Sequence, residues 1–236
     1  MTQGVRDQIH FPEDRERSGR LLLSSPDHGV QIPEEHSVRE QHLNLEDLKE
    51  RAQHLSNRYL IKTNIPSYPR PEFHVRHVKH DTNTNGLRGI RSDNGFKNPF
   101  EDGLLWWTLS VGADEIQSAE QLLLENTYLD QTEEQARTQQ SFLGKFATSP
   151  AFKKTSRMGS YRFTFPLEEL LEAYRQQFCR GAQPVMRVYE TVLYKQEVMY
   201  AVLVHSPTNQ DQFSGYPLLT DDTNAGCTYG DGCFIC

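Results

Sequence analysis

Apolar residues are spread unevenly along this chain, and their spacing changes character near residue 44 and again near residue 71. Residues 1–43 are polar and mixed in charge, broken only by Leu21–Leu23. A stretch with so little to bury predicts a disordered tail. From Asn44 the steps become three and four: Leu45, Leu48, Ala52, Leu55 and Tyr59 make one stripe of an amphipathic helix over 44–62. Asn44 suits its N-cap, and Glu46 and Asp47 suit the positive end of a helix. Such a stripe packs on the domain behind it or docks on a partner, and a narrow stripe favours packing. Pro66, Pro69 and Pro71 then forbid a helix and mark an extended linker over 63–71.

Beyond the linker the pattern predicts a main domain over 72–205. Glu72–His80 is β-type, and Gly86–Phe96 is a short helix closed by Asn94-Gly95, with Gly95 in the left-handed position. Leu104–Val111 is short, apolar and aromatic, hence a buried strand with Trp106 and Trp107 in the core. Residues 113–125 are helical, and the capping-box spacing Thr132–Gln135 starts a second helix running to about Phe146. Tyr161–Phe165 alternates as a strand does, and Pro166 opens a helix buried through Leu167, Leu170, Leu171, Tyr174 and Phe178. Two further strands, Val185–Leu193 and Val198–Val204, pair antiparallel. Residues 206–236 form a polar C-terminal segment, loop-like to 225 and unassigned after it. Mixed strands and helices with an antiparallel closing pair predict an α+β fold, with split antiparallel or mixed sheets.

Composition sharpens this in three places. Hydrophobic residues are 36% of the 236, and the mean hydropathy is −0.69, low enough that part of the chain packs no core. The net charge is −7, and residues 1–70 hold 10 basic against 11 acidic residues, so neither part is a basic nucleic-acid footprint. No apolar run is long enough for a spanning helix, and the first twenty residues hold no apolar core of a secretory leader. The expectation is a cytoplasmic or nuclear protein with reduced thiols at Cys179, Cys227, Cys233 and Cys236.

Two stretches carry candidate chemistry. His80-Asp81-Thr82 is followed by a helix holding Ile90 and then by Gly95-Phe96. Late in the domain, Lys195-Gln196-Glu197 precedes the Val198–Val204 strand, with Tyr200 inside it. Together these stretches resemble the ADP-ribosyltransferase fold, in particular its poly-ADP-ribose-polymerase-like branch. In that family a strand ends in His-Gly-Thr, a helix closes on Gly-Phe, and a Glu precedes a late strand. Here Asp81 stands where the family has glycine, and Trp106 and Trp107 lie near the place of its middle tyrosine.

The resemblance implies NAD as the substrate cofactor and an unknown protein as acceptor or partner. It implies Glu197 and His80 as catalytic residues. Cleaving the nicotinamide–ribose bond builds positive charge on the sugar, and a carboxylate bonded to the ribose 2′-hydroxyl stabilises it. His80 would hold a ribose, residues Asp81 and Thr82 would line the cofactor site, and Trp107 or Tyr161 would stack on the nicotinamide. The Asp81 side chain would crowd that site. Taken singly, His80 is a strand-end histidine, Thr82 a helix N-cap and Glu197 a solvated edge residue. The function classes are therefore an ADP-ribosyltransferase, a relative that keeps only NAD binding, and an inactive intracellular adaptor.

Two other patterns are weaker. His74, His77 and His80 invite zinc, but strand alternation turns His77 away from the other two, and only Cys233 and Cys236 form a compact ligand pair, so no metal is expected. Cys233-Phe234-Ile235-Cys236 fits the loose prenylation pattern, with Cys233 as acceptor, but lacks a polybasic neighbour.

Overall fold

A computed structural model describes residues 8–9, 35–55, 60–63, 71–97, 104–127, 130, 132–134, 143, 159–194, 197–221 and 226–236. Among these residues the fold is mixed, with four α-helices and small antiparallel sheets. The strands are β1 (Gln8–Ile9), β2 (Glu35–Arg39), β3 (His74–Val75), β4 (His77–Thr82), β5 (Phe96–Lys97), β6 (Thr108–Leu109), β7 (Tyr161–Pro166), β8 (Val185–Tyr194), β9 (Glu197–His205), β10 (Thr228–Gly230) and β11 (Cys233–Ile235). The helices are α1 (Leu45–Arg51), α2 (Thr84–Ser92), α3 (Ala113–Thr127) and α4 (Leu167–Phe178). The sheet orders are β6-β4-β7, β2-β8-β9, β10-β11-β3 and the pair β1-β5.

Local chemistry accounts for the helix ends. Asn44 accepts from the backbone N–H of Glu46 and Asp47 at 3.0 Å each, and Asp47 accepts from the Asn44 N–H at 3.0 Å, a reciprocal cap. α1 is shorter than the 44–62 stripe suggests. After Arg51 the chain tightens into three-residue turns, with Gln53 N–H on the Glu50 carbonyl and Leu55 N–H on the Ala52 carbonyl. The stripe survives that change, since Leu48, Ala52 and Leu55 stay buried against Val38, Leu43 and Leu193. Tyr59 lies outside the described residues.

At α2 the cap is Asn83, one residue later than Thr82, because its carbonyl oxygen reaches the N–H groups of Asn85 and Gly86. The helix closes with Gly95 N–H on the Ile90 carbonyl and Asn94 N–H on that of Arg91, and Asn94, not Gly95, takes the left-handed backbone at φ 49°. Pro166 serves as the N-cap of α4 while still pairing in β7 opposite His77.

Other expectations need correction. Glu35–Arg39, inside the stretch read as a disordered tail, is an edge strand paired along β8. Its alternation of Val38 inward and Arg39 outward is too short to stand out beside so polar a neighbourhood. The strand expected over 104–111 pairs only at Thr108–Leu109. Trp107 packs into the core, but Trp106 turns outward with 53% of its surface exposed and lies edge-on to Tyr189 at 5.9 Å. Most of the second helix expected from Thr132 to Phe146, and most of the Pro-rich linker, lie outside the described residues.

The main core binds the β6-β4-β7 and β2-β8-β9 sheets and the C-terminal segment into one unit. Val78 of β4, Leu167 and Leu170 of α4, Val188 of β8, Leu219 and Phe234 of β11 are buried together, with Trp107, Phe165, Tyr200 and Val202 packed on them. Residue 205 therefore ends no domain. The chain continues through a 3-10 turn at Pro207–Asn209, bridges back from Leu218 to Arg187, and closes as a β10–β11 hairpin on β3.

Candidate functional site

β4 presents two chemically different faces. Side chains alternate along a strand, so Val78, His80 and Thr82 share one face, buried in the main core at Val78 and only half-buried at His80 and Thr82. Lys79 and Asp81 share the other. On the core side β7 sets Phe163 opposite His80 and Phe165 opposite Val78. The imidazole of His80 lies 5.3 Å from the Phe96 ring and 5.4 Å from that of Trp107. Its Nδ1 is 2.9 Å from the Trp106 carbonyl. A carbonyl only accepts, so in the neutral ring the proton sits on Nδ1 and Nε2 keeps a lone pair. Among the described residues Nε2 has no hydrogen-bond partner.

The Asp81 carboxylate takes a bidentate bond from Arg162, its cross-strand neighbour, at 2.7 and 2.9 Å. That pair lies on the face away from His80. The crowding expected from an aspartate in place of glycine is thus removed by alternation: the side chain leaves the His80 face and its charge is matched. Lys79, 4% exposed, is held below the ordinary lysine range by burial first and then by the nearby Arg162 charge.

Thr82 lies under α2, where a Cβ on Gly86 would collide with its hydroxyl. Gly159, at φ +154°, brings the chain so close to the Thr82 carbonyl that no side chain fits there. Tyr161 follows in β7 opposite Thr82, and among the described residues no hydrogen bond or ring contact joins it to His80. The structure therefore gathers His80, Trp107 and Phe96 into one aromatic nest, with Thr82 beside it. Glu197 opens β9 in the β2-β8-β9 sheet, its backbone opposite Tyr194, and its side chain lies outside the described residues.

A second feature was not legible as a site. A cavity of about 730 Å³ lies between α4, the start of β8, the 218–220 turn and the C-terminal hairpin, with Glu168, Glu172, Arg175, Met186, Leu218 and Tyr229 in its lining. The i, i+4, i+7 spacing of Glu168, Glu172 and Arg175 is one helix face, and the Asp231-Gly232 pair is a hairpin-turn signal. Those two signals were available but did not show that the helix face and hairpin meet. Bonds from Arg175 and then Gln176 hold the Glu172 carboxyl down at about 2. His80 does not line this cavity.

Comparison of the chain with known proteins finds no matching family model, no matching curated protein and no matching solved structure. Among the described residues no group of three or more His, Cys, Asp or Glu side chains is arranged to hold a metal ion, and no helix is long and apolar enough to cross a membrane. Prenylation at Cys233 does not suit its placement. The thiol is fully buried inside β11 and donates to the Gly230 carbonyl at 3.2 Å.

Proposed function

We propose that the domain is a divergent ADP-ribosyltransferase-like module that binds NAD on the His80 face of β4. One observation carries the reading. The Trp106 carbonyl fixes the imidazole through Nδ1, and Nε2 is left beside the Trp107 ring with a lone pair for a ribose hydroxyl. A preset tautomer lets such a contact form without rearrangement of the ring. The Asp81–Arg162 pair supports the same reading, since it keeps the carboxylate from repelling a diphosphate. On this reading transfer to an acceptor protein depends on Glu197, and without it the module only binds.

The test is thermal melting of the full chain with NAD and with nicotinamide. A ligand that binds only the folded state raises the transition temperature. Wild type should shift with NAD, and His80→Phe, which keeps a ring in the nest but loses Nε2, should not. No shift in wild type defeats the reading. Incubation with labelled NAD then separates the two outcomes within it: label transferred by wild type but not by Glu197→Gln marks an enzyme, and no transfer by either marks a binding module.

The cavity between α4 and the C-terminal hairpin favours a second reading, an inactive adaptor whose ligand sits there instead. Its lining combines the apolar Met186, Leu218 and Tyr229 with the Glu168 carboxylate, Glu172 being already bonded by Arg175, which suits an apolar segment carrying one positive charge. NAD would then leave the melting temperature unchanged.

A further inference from the structure

Strand register brings two cysteines together at the open end of the C-terminal hairpin. β10 and β11 turn at Asp231 and Gly232, both at positive φ, as a two-residue hairpin loop requires. Thr228 stands opposite Ile235, Tyr229 opposite Phe234 and Gly230 opposite Cys233. The next pair outward is Cys227 and Cys236. On its other side Cys236 exchanges both backbone hydrogen bonds with Phe73, at 2.9 and 3.0 Å. The N–H and C=O of one antiparallel residue point to the same neighbour, so Cys236 turns neither toward Cys227. The two cysteines therefore form a non-hydrogen-bonded pair, whose Cα atoms approach to about 4.5 Å. A disulfide spans about 4.4–6.8 Å between Cα atoms.

The two thiols interact, and a Cys227–Cys236 hydrogen bond is the leading cause of opposite shifts in their acidity. The four cysteines are not equivalent. Cys179 and Cys233 are buried, Cys227 is half-buried and Cys236 is exposed. The bond from Cys227 lowers the Cys236 thiol below its ordinary range, and that same bond and burial raise Cys227. Cys236 is thus the more accessible and the more acidic of the two thiols, with Cys227 beside it.

We propose that Cys227 and Cys236 are a reversible oxidation site, closed by hydroperoxides into a disulfide across the base of the hairpin. The Cys236 thiolate attacks a peroxide oxygen, the O–O bond breaks, and hydroxide leaves a sulfenic acid on Cys236. The Cys227 sulfur then attacks the Cys236 sulfur; the S–O bond breaks and the departing hydroxide takes the Cys227 proton as water. Two thiols and one hydrogen peroxide give one disulfide and two waters. The clasp lies next to the cavity wall. Tyr229 and Phe234 are two residues inward on the same face, with rings 5.3 Å apart, and Gly226, just outside, presses on the Tyr200 ring of β9. Oxidation thus ties the hairpin base between Phe73 and Tyr200. The site is independent of NAD binding at His80.

The test treats the full chain with graded hydrogen peroxide, blocks remaining thiols and maps the peptides by mass spectrometry. The expected product is one Cys227–Cys236 link, lighter by two hydrogens, formed before any change at Cys179 or Cys233 and reversed by dithiothreitol. Amide exchange over 228–235 should slow when the link forms. Cys227→Ser should strand the intermediate, so that dimedone labels Cys236 far more than in wild type. Cys236→Ser should leave Cys227 unmodified at the same dose. A different linked pair, disulfide-joined dimers as the main product, or equal dimedone labelling of Cys236 in wild type and Cys227→Ser would overturn the proposal.

Discussion

The β6-β4-β7 and β2-β8-β9 sheets meet across the main core; each shields an arginine, and they do it in opposite ways. In β6-β4-β7, Arg162 is matched by the Asp81 carboxylate, with the side chains 13% and 14% exposed, and the buried Lys79 shares that face. In β2-β8-β9, Arg187 is 6% exposed, and among the described residues its side-chain hydrogen bonds reach no carboxylate: it donates to the Tyr216 carbonyl at 2.6 Å and to His205 Nε2 at 3.0 Å. The first arrangement rests on an opposite charge. The second rests on a histidine staying neutral, because only a neutral ring can accept at Nε2. One sheet is therefore exposed to loss of a carboxylate, and the other to gain of a proton.

The comparison presumes that both sheets belong to one cooperative body, and Phe234 is where to break it. Its ring is buried where β11 joins β3 to the core shared by Val78 and Val188. Phe234→Ala should cost about 3–5 kcal/mol, the range for emptying a buried aromatic site. Denaturant unfolding followed by tryptophan fluorescence and by far-ultraviolet circular dichroism should give one shared, shifted midpoint. Two separate midpoints would mean that the sheets unfold independently.

Next in size is Asp81→Ala. It leaves Arg162 and Lys79 facing each other without the carboxylate between them, and should cost about 2 kcal/mol, in keeping with a hydrogen-bonded, largely shielded charge pair. The check is the same midpoint, measured at low and high salt, with the deficit shrinking as salt screens the two cations. A variant as stable as wild type would mean that the pair contributes nothing and that the two sheets do not differ in the way described.

Much of the main domain was legible because its signals are local. The α4 stripe, the β8–β9 hairpin and the Asn44 cap each follow from residues within a few positions of one another. The β2 edge strand and the pairing of β11 with β3 were not legible, because their partners lie some 150 residues away in sequence and so short a strand has no period to read. At the candidate site, His80 and Trp107 were singled out and do lie in one nest. What could not be read was the role of Asp81, since its charge is settled by Arg162, 81 residues away in sequence and adjacent only through β7. The pairing of Cys227 with Cys236 likewise could not be read until the hairpin register, carried one residue past Thr228 and Ile235, set them side by side.

The smallest expected effect is also the most specific, because it tests the second sheet through protons alone. His205 is 2% exposed; its Nδ1–H donates to the Ser206 carbonyl at 2.8 Å while Nε2 accepts from Arg187, and the Phe213 ring packs 4.9 Å away. Burial first, and the Arg187 charge after it, lower its pKa from the ordinary 6.5, against an opposing pull from the Ser206 bond. Below 6.5 the unfolded chain therefore binds a proton that the folded chain resists, so this contribution to stability is full above 6.5 and falls as the pH drops toward the depressed folded value. Protonation would put an N–H where Arg187 needs an acceptor and set two positive charges side by side. His205→Gln keeps an acceptor for Arg187 but does not titrate. Its midpoint should start lower than that of wild type at pH 7, since the ring contact with Phe213 is lost, and should decline less steeply on acidification. Parallel slopes for the two proteins would show that Arg187 tolerates a charged neighbour, and the contrast between the sheets would reduce to the one carboxylate at Asp81.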